Sequence, residues 1–503
     1  MPKLIVLAFT CVLTLFASRP LAAADRWVRV TTEHFETVGN GTDISVRRVA
    51  QTLEQFHTVV VTNVLNGAGS APSRTAVLVF KDAQTFRAHM PPGRNSDFIG
   101  GWTSVSDTDT LLALNGENIG VAMRTVLAGY SYSIVAHTLG AAPPWLLHGI
   151  AEVYRTFEER QGGKGALIGR PDQDNVNVLR NGTLLPVATL VGTAADDPRL
   201  APGGVTRDMF DAEAWALVHY LSFGARPGQL NRYIAELRAG TPSADAFTHA
   251  FGDTATLDHE LNDYIRKFIF PALQVAFDEK VTPALPSKGD ALGPADAEAY
   301  LGALLASTGQ ADKALERLSK ALQAQPGSAR ALATQGTIDL SRNDRENGLV
   351  LLERAATLAP KDEVVQARLG HHLALGLMRA PRPLRVEAVE HARDVLDTAV
   401  GLDADNTLAS AELGWILLQD PDDPARAVTL LSDAVKRSPQ QEVYRLWLAD
   451  ALSRNGDSAQ ARALLGPLMA RGSTAAIRDD ARRLLGAMSE RQKRTPELAP
   501  LPR

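Results

Sequence analysis

The chain has 503 residues, 45% of them hydrophobic, with 52 Lys and Arg against 57 Asp and Glu. That length and apolar content suffice for more than one buried core. A net charge of -5 argues against a nucleic-acid partner, which needs a basic surface, and a single cysteine excludes an internal disulfide framework.

Residues 1–24 read as a secretory signal: Lys3, an apolar run from Leu4 to Phe16, then Leu21-Ala22-Ala23-Ala24 as a small-residue cleavage site. Cys11 lies inside that run. The mature chain is therefore expected to lack a thiol, and with it thiolate metal sites and cysteine nucleophiles. Losing Lys3 and Arg19 leaves 50 basic and 57 acidic residues. The expected location is periplasmic or secreted. No other segment approaches 18 consecutive apolar residues, so no integral membrane segment is expected after cleavage.

From Trp27 to about Asn115 the pattern is mixed. WVRVTT, FETV, TAVLVF, FIGGWTSV and DTLLALN read as strands. TDISVRRVAQTLEQFHTVVVTNV and DAQTFRAHM read as helices. From Glu117 to about Phe277 the pattern is mostly helical, with RQGGKG (160–165) as a flexible loop. Residues 278–293 have the Pro, Gly and charge content of a linker.

A repeat follows over 294–490. Gly302, Gly336, Gly370 and Gly414 fall 34, 34 and 44 residues apart, and Pro326 and Pro360 are also 34 apart. Ala314, Ala392 and Ala427 each precede a helix-ending position by 12 residues. This spacing resembles the tetratricopeptide repeat, with small residues where paired helices touch and proline where the second helix stops. The third repeat carries about ten extra residues. Their expected place is the inter-helix loop around APRPLR (380–385). Residues 491–503 read as a disordered tail.

The chemistry-bearing stretch is 126–154, VLAGYSYSIVAHTLGAAPPWLLHGIAEVY. Its second half resembles P-x-W-L-x-E-G-x-A-E-x-Y, the segment that follows the H-E-x-x-H helix in gluzincin-type metallopeptidases. WVRVTTEHFETV and MFDAEAWALVHYL are similar to that family's opening and later helix. The resemblance spans about residues 26–275 and points to the peptidase-MA-like domains of bacterial exported proteins. It implies an α+β gluzincin-like domain over 25–277, followed by an all-α tetratricopeptide-repeat solenoid.

A catalytic zinc needs about three protein ligands, an open position for water and a nearby base. The resemblance puts Ala128 and Tyr132 at the two histidine positions, Gly129 at the base and His148 at the third ligand. Ala and Gly offer no lone pair or proton acceptor, and a neutral phenol is a poor zinc ligand. Glu152 corresponds to a carboxylate that orients a ligand histidine, and here it has no histidine to orient. Tyr130, Tyr132 and Tyr154 are expected as core aromatics filling the metal cavity, and His219 as a half-buried structural histidine.

The expected reading is thus a non-catalytic protein with no cofactor. Its partners would be proteins or peptides bound in the repeat groove. The alternative is an active zinc metallopeptidase with a rearranged site, for which His137, His148 and Glu152 are the candidate ligands. Counting from the glycine positions puts Arg330, Thr337, Arg368, His371, Glu412, Trp415 and Arg445 on the concave face, a mixture suited to an acidic or C-terminal segment. The competing expectation is that the neighbouring domain covers several of them.

Overall fold

Alternating apolar residues close to the N-terminus set the strands of a mixed sheet, and the helices between them are capped by their own side chains. The computed structural model describes residues 26–67, 74–91, 100–140, 142–194, 196–200, 205–226, 228–267, 270–277, 286–419 and 423–494. The signal reading at 1–24 and the tail from 495 lie outside these residues.

The first elements are β1 (Trp27–Thr31), β2 (Phe35–Gly39), α1 (Asp43–Asn63), β3 (Thr75–Phe80), α2 (Ala83–Arg87), β4 (Gly101–Val105) and β5 (Thr110–Asn115). Thr42 caps α1 by accepting from the Ser45 N–H, and Asp82 caps α2 by accepting from that of Thr85. A helical region follows: α3 (Ile119–Leu139), α4 (Pro144–Tyr154), β6 (Glu158–Arg160), β7 (Gly165–Ile168), α5 (Gln173–Asn181), α6 (Val187–Gly192), α7 (Val205–Phe223), α8 (Gln229–Arg238), α9 (Ser243–Phe251) and α10 (Thr254–Ile265). Two short strands close this part, β8 (Leu273–Ala276) and β9 (Asp290–Leu292).

The main sheet runs β4-β5-β3-β2-β1-β9. β2, β3 and β5 are parallel at its centre, and β4, β1 and β9 are antiparallel to their neighbours. β6, β7 and β8 form a second, antiparallel sheet. The segment expected as a flexible loop at 160–165 is instead the turn of the β6–β7 hairpin. Gln161, Gly162 and Gly163 take positive φ there, a conformation for which glycine carries no steric penalty.

α3 has the length and hydropathy of a membrane span, a property that counting consecutive apolar residues overlooked. Its buried residues, among them Val126, Leu127, Tyr130 and Ile134, belong to the core beneath the sheet. The apolarity is used in packing within the domain.

The described residues that follow are helical: α11 (Pro294–Ser307), α12 (Ala311–Ala324), α13 (Ala329–Ser341), α14 (Arg345–Leu358), α15 (Glu363–Arg379), α16 (Val386–Leu402), α17 (Thr407–Leu417), α18 (Pro424–Arg437), α19 (Glu442–Arg454), α20 (Ser458–Arg471) and α21 (Ala475–Arg494). They pair as five helix hairpins with α21 packed on the last. The spaced glycines sit where paired helices cross. A Cβ on Gly302, Gly370 or Gly414 would come within 2.6 Å of Leu318, Leu396 or Leu431 respectively. The extra residues of the third repeat do not sit only in the loop. α15 and α16 each have 17 residues, against 13 in α13 and 14 in α14. Residues 491–494, expected in a disordered tail, continue α21.

The two regions share a core. One sheet face, with Phe35, Val77, Val79, Leu112 and Leu114, packs on α1 and α3. The other, with Val38, Leu78, Phe80, Leu111 and Ala113, packs on Phe86 and Met90 and on Ala297, Tyr300, Leu301 and Leu304 of α11. The first repeat helix thus covers the sheet of the preceding region. The end of the segment expected as a linker is likewise part of the sheet, where β9 pairs with β1.

Candidate functional site

The PWLLHGIAEVY segment forms α4, with Pro144 in its first turn, where a missing N–H costs nothing. Trp145 stacks on Tyr233 at 5.4 Å and meets Phe247 and Phe251 edge-on, which fixes the start of the helix. Gly149 lets α4 lie directly on α7: a Cβ there would be 2.4 Å from both the Ala214 carbonyl oxygen and the Val218 side chain. Gly149→Ala is expected to lower stability by about 1–3 kcal/mol through this overpacking. Urea unfolding of the full chain measures it, and an unchanged midpoint would contradict the close approach.

α3, α4 and α7 together line a shallow cleft of about 380 Å³. Ala128, Gly129 and Tyr132 contribute from α3, His148, Ala151 and Glu152 from α4, and Arg207 and Asp211 from α7. The four positions singled out at 128, 129, 132 and 148 therefore do converge. Tyr132 meets His148 edge-on at 5.4 Å, and burial pushes its phenol above the ordinary value, so it stays neutral.

The positive charge among the residues lining this cleft is on Arg207. Its Nε donates to Asp211 Oδ2 at 2.7 Å, and a terminal nitrogen lies 3.1 Å from His148 Nδ1. His148 Nδ1 is also 2.9 Å from Asp211 Oδ1. A neutral His148 accepts from Arg207, whereas a protonated one donates to Asp211. Gly129 faces β4, where a Cβ would lie 2.2 Å from Thr103 Oγ1 and 2.5 Å from Thr103 Cβ.

Other expectations for this stretch need correction. Glu152 is not left without partners: Arg155 donates to both its oxygens at 3.0 Å and Asn175 Nδ2 to one at 2.8 Å. Of the three tyrosines only Tyr132 lines the cleft. Tyr130 bonds His57 Nδ1 at 2.7 Å in the core under the sheet, and Tyr154 is buried in the same core. His219 is fully buried, with Nε2 donating to the Gly169 carbonyl at 2.6 Å and Nδ1 accepting from Tyr264 at 2.7 Å. Burial pulls its pKa down to about 4.

His137, His148 and Glu152 are not brought together. His137 Nδ1 donates to the Ser133 carbonyl at 2.9 Å, and His137 lines a different cleft. Among the described residues no group of three His, Cys, Asp or Glu is placed to hold a metal ion.

A wider cavity of about 1050 Å³ opens at the carboxyl ends of β2, β3 and β5. Three of the cations beside it face carboxylates: Arg124 and Asp172 pair, Arg170 reaches Glu158 at 2.9 Å, and Arg155 holds Glu152.

The concave face of the repeats is partly filled by the N-terminal region, so the expected groove is not open along its length. Arg330 donates to Glu36 of β2 at 2.7 Å and lies 4.1 Å from the Tyr300 ring. Arg368 pairs with Asp109 in the β4–β5 turn. His371 Nδ1 is 2.7 Å from Glu412 Oε1, and its Nε2 is 3.8 Å from Asp107. Burial opposes protonation of His371, but the bond to Glu412 and the charges of Glu412 and Asp107 together outweigh it and raise the pKa. Burial also raises that of Glu412.

Thr337 bonds within its own helix at 3.0 Å. Trp415 is 8% exposed, with Arg382 over its ring. Arg445 lies 4.0 Å from Glu442, and its Nε makes no hydrogen bond among the described residues. The interfacial roles of Glu36, Asp107 and Asp109 were missed, because acids in strand and turn segments look like ordinary solvated residues.

The repeat has independent support over part of its length. A tetratricopeptide-repeat family profile matches residues 420–478. Among solved structures, YrrB, described as a TPR protein with an unusual peptide-binding site, is 16% identical over 39% of this chain and 91% of its own, with a TM-score of 0.29. PilF of Pseudomonas aeruginosa is 21% identical over 40% of this chain and 91% of its own, also at 0.29. No curated protein sequence matches the chain. The class is therefore a helix-rich protein with a tetratricopeptide-repeat solenoid, resting on the profile match and on the helix pairs themselves.

Proposed function

We propose that the chain is an exported, non-catalytic relative of gluzincin-like peptidases that binds protein or peptide segments along its repeat solenoid. One observation carries the reading: the cleft at 128–132 and 148–152 holds an arginine bonded to His148 and Asp211 in place of a ligand set. Thr103 adds to it, since a side chain at 129 would meet Thr103 at once. Export is supported by the pattern of residues 1–24.

Protein or peptide partners suit a tetratricopeptide stack, whose helix pairs bury one face and present the other. The surface offered is a cleft of about 510 Å³ where the end of α3 meets α17, α18 and α19. His137, Arg238, Thr407, Lys436, Gln441 and Tyr444 line it.

The full chain mixed with fluorescein-labelled β-casein and zinc tests this. Casein is expected to be bound and left intact, and Tyr444→Ala with Lys436→Ala should weaken binding by about tenfold. Chelator-sensitive cutting would establish the rearranged peptidase instead. Casein left intact and unbound would remove the binding reading.

A further inference from the structure

We propose that the wide cavity at the carboxyl ends of β2, β3 and β5 binds a small amphiphile, a carboxylate on an apolar chain such as a fatty acid. The site lies in the N-terminal region, so the inference goes beyond the protein-binding reading of the repeats. At about 1050 Å³ the cavity stands at the upper end of the range for small-molecule sites.

Its lining divides by chemistry. Val49 of α1, Met123 of α3 and Phe157 supply apolar wall. Arg48, Lys81, Arg124, Arg155 and Arg170 line it against Glu158 and Glu159, a basic excess in a chain of net charge -5. Asp172 and Glu152, which do not line the cavity, pair with Arg124 and Arg155. Five basic groups then face four acidic ones, and a single carboxylate balances the remainder.

Donors remain for it. The Arg170 side chain is 57% exposed and meets Glu158 through one nitrogen, and that of Arg48 is 73% exposed and reaches Glu159 only at 4.0 Å. A guanidinium carries five N–H donors in a planar fork, so both keep donors that suit a carboxylate. α1 and α3 also begin at the rim, where the positive ends of two helix dipoles favour an anion.

The rim is apolar as well. Ile44 on the first turn of α1 and Ile119 and Val121 on that of α3 are three of the seven exposed large hydrophobic residues among those described. An apolar chain leaving the cavity would take them out of water. Gly120 lies between the last two and lines the cavity. A Cβ there would meet nothing within 4 Å, and its backbone is outside the left-handed region. Neither packing nor conformation calls for glycine, which weakens a helix by roughly 0.5–1 kcal/mol relative to alanine. What the missing side chain leaves is open volume.

The test titrates the full chain with dansyl-labelled undecanoate and with its methyl ester, read by dansyl fluorescence. The acid is expected to saturate a single site and to bind at least about tenfold tighter than the ester. Gly120→Phe should melt no lower than the wild type and bind the acid at least about tenfold more weakly, because the new ring occupies the cavity. Absence of saturation, equal affinity for acid and ester, or a folded Gly120→Phe with unchanged affinity overturns the proposal.

If Gly120→Phe does not fold, Arg48→Gln with Arg170→Gln decides. That variant should bind the acid about tenfold more weakly and the ester as before, and unchanged affinity for the acid overturns the proposal. The casein experiment does not involve these residues, so the protein-binding reading fails or stands separately.

Discussion

A chain cut after Phe277 is expected to lose the cooperative unfolding of its N-terminal region rather than yield two folded pieces. The cut removes β9, which pairs with Trp27, Val28 and Arg29 of β1. It also removes α11, whose Tyr300, Leu301 and Leu304 cover Leu78, Phe80, Leu111 and Ala113. Burying one large apolar side chain contributes roughly 1.5–3 kcal/mol, so uncovering about four costs about 6–12 kcal/mol. A whole domain is stable by only about 5–15 kcal/mol. Thermal melts and dye binding of a 26–277 fragment measure the effect. The expected fragment binds a hydrophobic dye and shows no sharp transition, and a melt close to that of the full chain would refute the shared core.

Glu213→Gln is expected to remove a large part of the pH dependence of stability. Glu213 lies on α7 and is 2% exposed. One carboxyl oxygen accepts the Leu185 N–H, and the other has no hydrogen-bond partner among the described residues. Burial pushes its pKa up from 4.5 to about 8, the Leu185 bond opposes the shift and Asp258 adds to it. Between those values the folded chain keeps a proton that the unfolded chain has lost. Stability therefore falls as pH rises through that window, by up to about 1.4 kcal/mol per pH unit. Glutamine keeps the acceptor for Leu185 and cannot ionise. The variant should match the wild type near pH 4 and exceed it by about 2–4 kcal/mol at pH 8. Urea unfolding at several pH values tests this, and parallel curves for the two proteins would show that Glu213 is not the cause.

Local pattern made much of the fold legible. Alternation in WVRVT and the apolar run TAVLVF became β1 and β3, and the spaced glycines became the crossings of paired helices. These features recur within one element or one repeat, where side-chain period reflects backbone geometry. The convergence of Ala128, Gly129, Tyr132 and His148 was legible through motif spacing. Arg207, which sits among them, was not, because it lies about 60 residues downstream on a helix with no distinguishing pattern.

By itself, the sequence determined most element types, the repeat period and that Ala128 and Gly129 offer no side-chain ligand, since each is a property of residue type at short spacing. Only the tertiary structure decided what fills each cleft and which groove residues stay open. Asp109 meets Arg368 across 259 residues and Glu36 meets Arg330 across 294. A charge gives no local sign of a partner that far along the chain, and α11 reads as an ordinary repeat helix until the sheet is seen against it. The residue types at 128, 129, 132 and 148 were written in the stretch at 126–154, whereas Arg207 beside His148 and Asp109 against Arg368 come from the packing.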